Sequence, residues 1–63
     1  MNIVVSRLEY KPTLIDIEKI SKVSHYIIGK YVAGSVITLV SGQEIIVYEH
    51  PEEVKRKIME DTK

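Results

Sequence analysis

The chain has 63 residues, nine basic and nine acidic, with no cysteine and tyrosine as its sole aromatic. One small domain, residues 1–63, is expected, near the size at which a hydrophobic core alone holds a fold. Without cysteine, neither a disulfide nor a thiolate metal site can assist it. Zero net charge argues against a nucleic-acid coat or a polybasic membrane anchor.

No apolar stretch approaches the roughly 20 residues that cross a bilayer. The start, Met1 to Arg7, lacks a basic segment followed by a long apolar run. A soluble, cytoplasmic protein with no membrane partner is the expectation. Val, Ile and Leu supply 21 of the 63 residues, a β-branched content that favours strands.

Asn2 to Leu8 reads as a first strand, with Ile3, Val5 and the stem of Arg7 on one face. Glu9-Tyr10-Lys11-Pro12 is a turn, because Pro12 biases Lys11 away from helix and cannot donate to a ladder. Thr13 to Lys22 fits either two short strands or a single helical turn between strands. Val23 to Ile28 is strand-like and ends at Gly29. Gly29 to Gly34 reads as a glycine-bounded loop, or as a bulge if Tyr31-Val32 extends a strand.

Ser35 to Val40 and Gln43 to Tyr48 flank Ser41-Gly42, which fits a two-residue hairpin turn. That register sets Val40 near Gln43 and Thr38 near Ile45. Pro51 is a favoured first helical residue, and Glu52 and Glu53 complement the helix N-terminus. Glu52–Arg56 and Glu53–Lys57 have salt-bridge spacing along the helix. Val54 and Ile58 form its buried stripe, with Met59 at the edge.

Both hairpin strands carry apolar residues on both faces, whereas a sheet with one wet face should alternate cleanly. One short helix covers only part of that surface. Self-association is therefore expected, through a surface drawn from Val36, Ile37, Leu39, Ile46 and Tyr48. The alternative cover is Leu14, Ile17 and Ile20 folding back over the second face.

Chemistry-bearing patterns are sparse. Gly29 to Ser35 has two glycines five apart, but Ser35 and Val36 follow the second glycine where a phosphate loop needs lysine. His25 and His50 lack a third ligand nearby, so no metal site is expected. The carboxylates are dispersed, and no nucleophile sits in a catalytic motif. No catalytic residue and no cofactor are expected; the chain reads as a non-enzyme. Lys55-Arg56-Lys57 reads as a solvated helix surface.

The residues Ser6-Arg7-Leu8, Lys11-Pro12, Val36-Ile37-Thr38-Leu39, Ser41-Gly42, Ile46-Val47, Glu49 and Val54 with Ile58 together resemble the FlbD/SwrD family. Those are small bacterial proteins associated with flagella and swarming motility. Glu9-Tyr10 stands where that family has an asparagine-glycine turn, and Tyr26 to Gly34 looks like an insertion. The resemblance implies a protein-interaction accessory or regulatory factor and brings no catalytic residues.

The sequence thus predicts an α+β fold: a small antiparallel sheet of three to five strands, a hairpin turn at Ser41-Gly42 and one C-terminal helix, in a homo-oligomer. The expected function is non-catalytic binding of a protein partner. A second reading is a phage-type oligomeric sponge that sequesters a small anionic, cyclic-nucleotide-like immune signal at subunit interfaces. In that reading Tyr26 and Tyr31 stack a base while Arg7 and Lys30 meet phosphate. Direct nucleic-acid binding is disfavoured by the charge balance.

Overall fold

The computed structural model describes residues 1–7 and 12–61, with side chains through residue 60. Its elements are β1 (Asn2–Ser6), β2 (Pro12–Asp16), a 3₁₀ turn (Ile17–Lys19), β3 (Ile20–Ile28), β4 (Tyr31–Leu39), β5 (Glu44–Val47) and α1 (Pro51–Asp61). This is the expected α+β fold, with five antiparallel strands among the described residues, in sheets of two and three. The expected turn at Glu9 to Pro12 falls mostly outside the described residues.

The doubtful segment contains both alternatives in succession: a strand, one helical turn, then a strand. Asp16 caps that turn by accepting a hydrogen bond from the Glu18 N–H at 3.1 Å. The turn is anchored on both sides. Ile17 N–H donates to the Met1 carbonyl and Val40 N–H donates to the Lys19 carbonyl, each at 2.8 Å.

The two sheets share a seam. Arg7 bridges Val47, and Tyr48 N–H donates to the Ser6 carbonyl at 2.8 Å. Following the pairing from β1 to β2, through the 3₁₀ turn into β3, then to β4, β5 and back to β1 traces a closed circuit. A sheet rolled this way covers much of its own apolar face. Inside it lie Ile3, Val5, Ile15, Ile37, Ile45, Val47 and Val54 of α1, with Ile17, Ile20, Val23, Leu39 and Ile58 packed against them.

That arrangement answers the apolar surplus read from the sequence. The inner face of β4 and β5 is covered by β1, β2 and α1 of the same chain. Ile17 and Ile20 do fold onto the core, whereas Leu14 stays 67% exposed on the outer side. Ile37, expected on a partner surface, is fully buried, and Leu39 packs on the core.

The β4–β5 register differs by one residue from the sequence expectation. Thr38 pairs with Glu44, and Ile37 with Ile45. The reason is the turn. Leu39 N–H donates to Gln43 at 2.8 Å and Gly42 N–H to Leu39 at 2.9 Å, so Val40-Ser41-Gly42 form a three-residue loop with Gly42 at φ +94°. A tight turn followed by a left-handed glycine is the usual three-residue solution. Since side chains alternate, this one-residue slip decides that Ile45 shares the inner face with Ile37 rather than the outer face with Thr38.

Gly34, read as a loop boundary, lies inside β4 opposite Tyr26. A Cβ there would stand 2.0 Å from the Val47 carbonyl oxygen. Only glycine lets β5 and β4 approach this closely where the chain swings from β5 toward α1.

Candidate functional site

Two places combine unusual side-chain chemistry with a built geometry. One is a polar junction inside the body, and the other is the free end of the β3–β4 hairpin.

The junction centres on Glu49, between β5 and α1. Both carboxylate oxygens accept from the Ser6 N–H, at 2.9 and 3.0 Å. Lys57 Nζ approaches Oε2 at 3.2 Å and also donates to the Val4 carbonyl at 2.8 Å. The fully buried Ser35 hydroxyl donates to the Glu49 carbonyl. One residue therefore ties β1, β4 and α1 together. Burial alone would raise the Glu49 carboxyl. The Ser6 N–H, its own backbone N–H and Lys57 outweigh that and hold it below the ordinary value of 4.5. Lys57 is thereby turned away from the expected pairing with Glu53. Glu53 instead meets Arg56 at 3.6 Å, and Arg56 also approaches Glu60 at 3.9 Å, both exposed pairs of small energetic weight.

The hairpin end is different in kind. β5 pairs with β4 only over Ser35 to Thr38, so Tyr26 to Gly34 continue beyond the third strand as a two-stranded arm. Gly29-Lys30 is its two-residue turn, closed by the Ile28–Tyr31 pair, with Gly29 at φ +60° as a primed turn requires. Ala33 is the extra residue of a bulge between the Tyr26–Gly34 and Ile27–Val32 pairs. The tip is apolar on both faces. Ile28 and Tyr31 are 57% and 78% exposed on one side, Ile27 and Val32 60% and 37% on the other.

The residues expected to bind a ligand divide between these regions. Tyr26, Lys30 and Tyr31 meet on the arm, with Tyr26 partly buried opposite Gly34. Arg7 stands at the β1–β5 seam. The paired row Arg7–Val47–Ser35–His25 separates it from the neighbourhood of Tyr26 by two intervening strands. Of the expected partner-surface residues, Val36 and Ile46 pair side by side on the outer face, partly buried. Tyr48 lies exposed at the base of the arm, its Cα 3.2 Å from where a Gly34 Cβ would stand.

The structure adds Ile27, Ile28 and Val32, which the sequence reading passed over. Their signal was present: Ile27-Ile28 and Tyr31-Val32 flank a turn, and adjacent residues on a strand face opposite ways. Among the described residues, no group of three or more His, Asp or Glu could hold a metal ion. No helix among them is long and apolar enough to cross a membrane.

The sequence model of FlbD, flagellar and swarming motility proteins, matches residues 2–63. The chain belongs to the FlbD family. The matched span runs across the Tyr26–Gly34 stretch that reads from the sequence as an insertion. No curated protein and no solved structure gives a significant match. In this FlbD-family chain, Ser6, Ile37, Val47, Glu49, Val54 and Ile58, all part of the sequence resemblance, lie in the core or at the Glu49 junction.

Proposed function

We propose that this FlbD-family protein is a non-catalytic accessory factor of flagellar or swarming motility that works by holding a protein partner. The observation that carries this reading is the arm. It places four exposed apolar side chains on both faces of a two-stranded tip beyond the body. A two-stranded ribbon gains little stability from such residues in water, and a clustered apolar surface marks an interaction site. Among the described residues, the carboxyl held in a polar junction is that of Glu49, and it is occupied in joining β1 to α1. That leaves it a structural task rather than proton transfer.

The test is genetic and physical together. Ile28→Ser with Tyr31→Ser should leave the circular dichroism spectrum close to wild type while reducing swarm expansion when it replaces the native chain. Full swarming by a folded double variant would overturn the reading.

A further inference from the structure

The charges of this net-neutral chain are segregated. From Lys19 to Gln43 there are three lysines and no acidic residue; from Glu44 to Asp61 there are six acidic and three basic residues. The first stretch is β3, the arm and β4. The second holds β5 and α1. The molecule therefore presents a basic, apolar tip at Lys30, while on the open side of α1 Glu52, Glu53 and Glu60 outnumber Lys55 and Arg56, Glu49 and Lys57 being paired with each other at the junction.

That acidic face has a concavity. A shallow groove of about 480 Å³ is lined by Tyr48, His50, Glu52, Glu53 and Arg56, and a second adjoins it along the helix, lined by Glu52, Lys55, Arg56, Met59 and Glu60, with Met59 69% exposed. The groove begins beside the arm, because Tyr48 lies against Gly34 at its base. The tip and the groove thus have opposite charge and share apolar character. They are offset by the length of the arm, about 10 Å from the Tyr26–Gly34 pair to the turn at Lys30 at the rise of a strand.

From this we propose that the occupant of the arm is a second copy of this chain, in a reciprocal dimer. Two arms laid antiparallel about a two-fold axis put each tip at the base of the other. Lys30 of one copy then faces Glu52 and Glu53 of its partner, and Tyr31 lies against Tyr48. A two-fold contact closes on itself, so the assembly stops at two. Opposed charges fix the antiparallel sense, since parallel arms would place Lys30 beside Lys30. The proposal rests on the arm being the binding element and names what it binds.

The experiment is sedimentation equilibrium on the full chain, with circular dichroism confirming the fold of each variant. Wild type should be dimeric and should dissociate more readily as salt is raised. Lys30→Glu alone, and Glu52→Lys with Glu53→Lys, should each weaken the dimer by at least roughly tenfold. An equimolar mixture of the two should restore it, because every tip then meets a groove of opposite charge. Ile28→Ser with Tyr31→Ser should also yield monomers.

A wild type that stays monomeric at every concentration would overturn the dimer, as would charge variants that dimerise normally or a mixture that fails to recover. The two readings fail separately. A monomeric protein whose arm variants still abolish swarming loses the dimer and keeps the arm as a binding element. A dimer abolished by arm variants that swarm normally keeps the dimer and loses the proposed function.

Discussion

The rolled body and the arm are made from the same two strands, yet a few residues separate opposite physical regimes. Ser35 and Ile37 of β4 are fully buried, whereas Tyr31, four residues before Ser35, is 78% exposed. The backbone pairing with β3 is continuous apart from one bulge. What changes is the third partner: β5 pairs with β4 no further than Ser35, and beyond the buried Gly34 the tip residues Tyr31 and Val32 are exposed. Hydrogen bonding is therefore shared by both regions, and burial belongs to one. Substitutions in the body should act on stability, and those in the arm on association.

The sharpest way to break this contrast is at the centre of the body. Ile37→Ala should cost about 4 kcal/mol through lost transfer energy and an unfilled cavity. A chain of this length has only about 3 to 9 kcal/mol in total. Urea unfolding should show little folded protein remaining.

Gly34→Ala tests the boundary itself. The new Cβ meets the Val47 carbonyl, a backbone group that no rotamer change relieves. A loss of about 3 kcal/mol is expected, with the β4–β5 amides near Val47 losing protection from hydrogen exchange.

Glu49→Gln should cost about 2 kcal/mol, because the bond from Ser6 N–H becomes a neutral one and the ion pair with Lys57 is lost. The pH dependence follows from the lowered folded-state value. The contribution of Glu49 is complete above the unfolded-state value of about 4.5 and is lost as pH falls through the lower folded-state one. Thermal unfolding midpoints of wild type should drop in that acid window, and the Gln variant should lose part of the drop.

Smallest of all, Tyr31→Ser should change monomer stability by no more than about 0.5 kcal/mol. A loss comparable to that of Glu49→Gln would show that the arm is part of the cooperative core.

Much of the architecture was legible in the residues. Pro51, Glu52-Glu53 and the Val54–Ile58 spacing locate the helix and its buried side, and Val54 is indeed fully buried. Asn2 to Leu8 and Val23 to Ile28 read as strands because their β-branched content leaves few alternatives. The loop at Gly42 was located but its length was not, since Ser-Gly suits two- and three-residue connections alike. Gly34 was noticed for the wrong reason. Glycine in a sequence does not say whether it serves a turn or a close crossing of backbones.

The candidate site was less legible. Tyr26, Lys30 and Tyr31 stood out as polar or aromatic residues near glycine, but Ile27, Ile28 and Val32 looked like ordinary strand residues. Only the end of β5 at Val47 shows that, among the described residues, no third strand pairs beside them. Glu49 was equally silent. Its partners Ser6 and Lys57 lie 43 and 8 residues away, and no local pattern joins them.

By itself the sequence determined the local elements: strands from β-branched runs, breaks at Gly29 and Gly42, and a helix opened by proline and glutamate. Those depend on neighbours along the chain, where backbone sterics and capping act. The tertiary structure decided which face of each strand became interior, because a one-residue register at Val40–Gly42 and the seam of Arg7 with Val47 set the closure of the sheet. It also decided that identical chemistry, isoleucine on a strand, is core at Ile37 and exposed at Ile28. Burial is set by what stands opposite a side chain across space, and that information is not local.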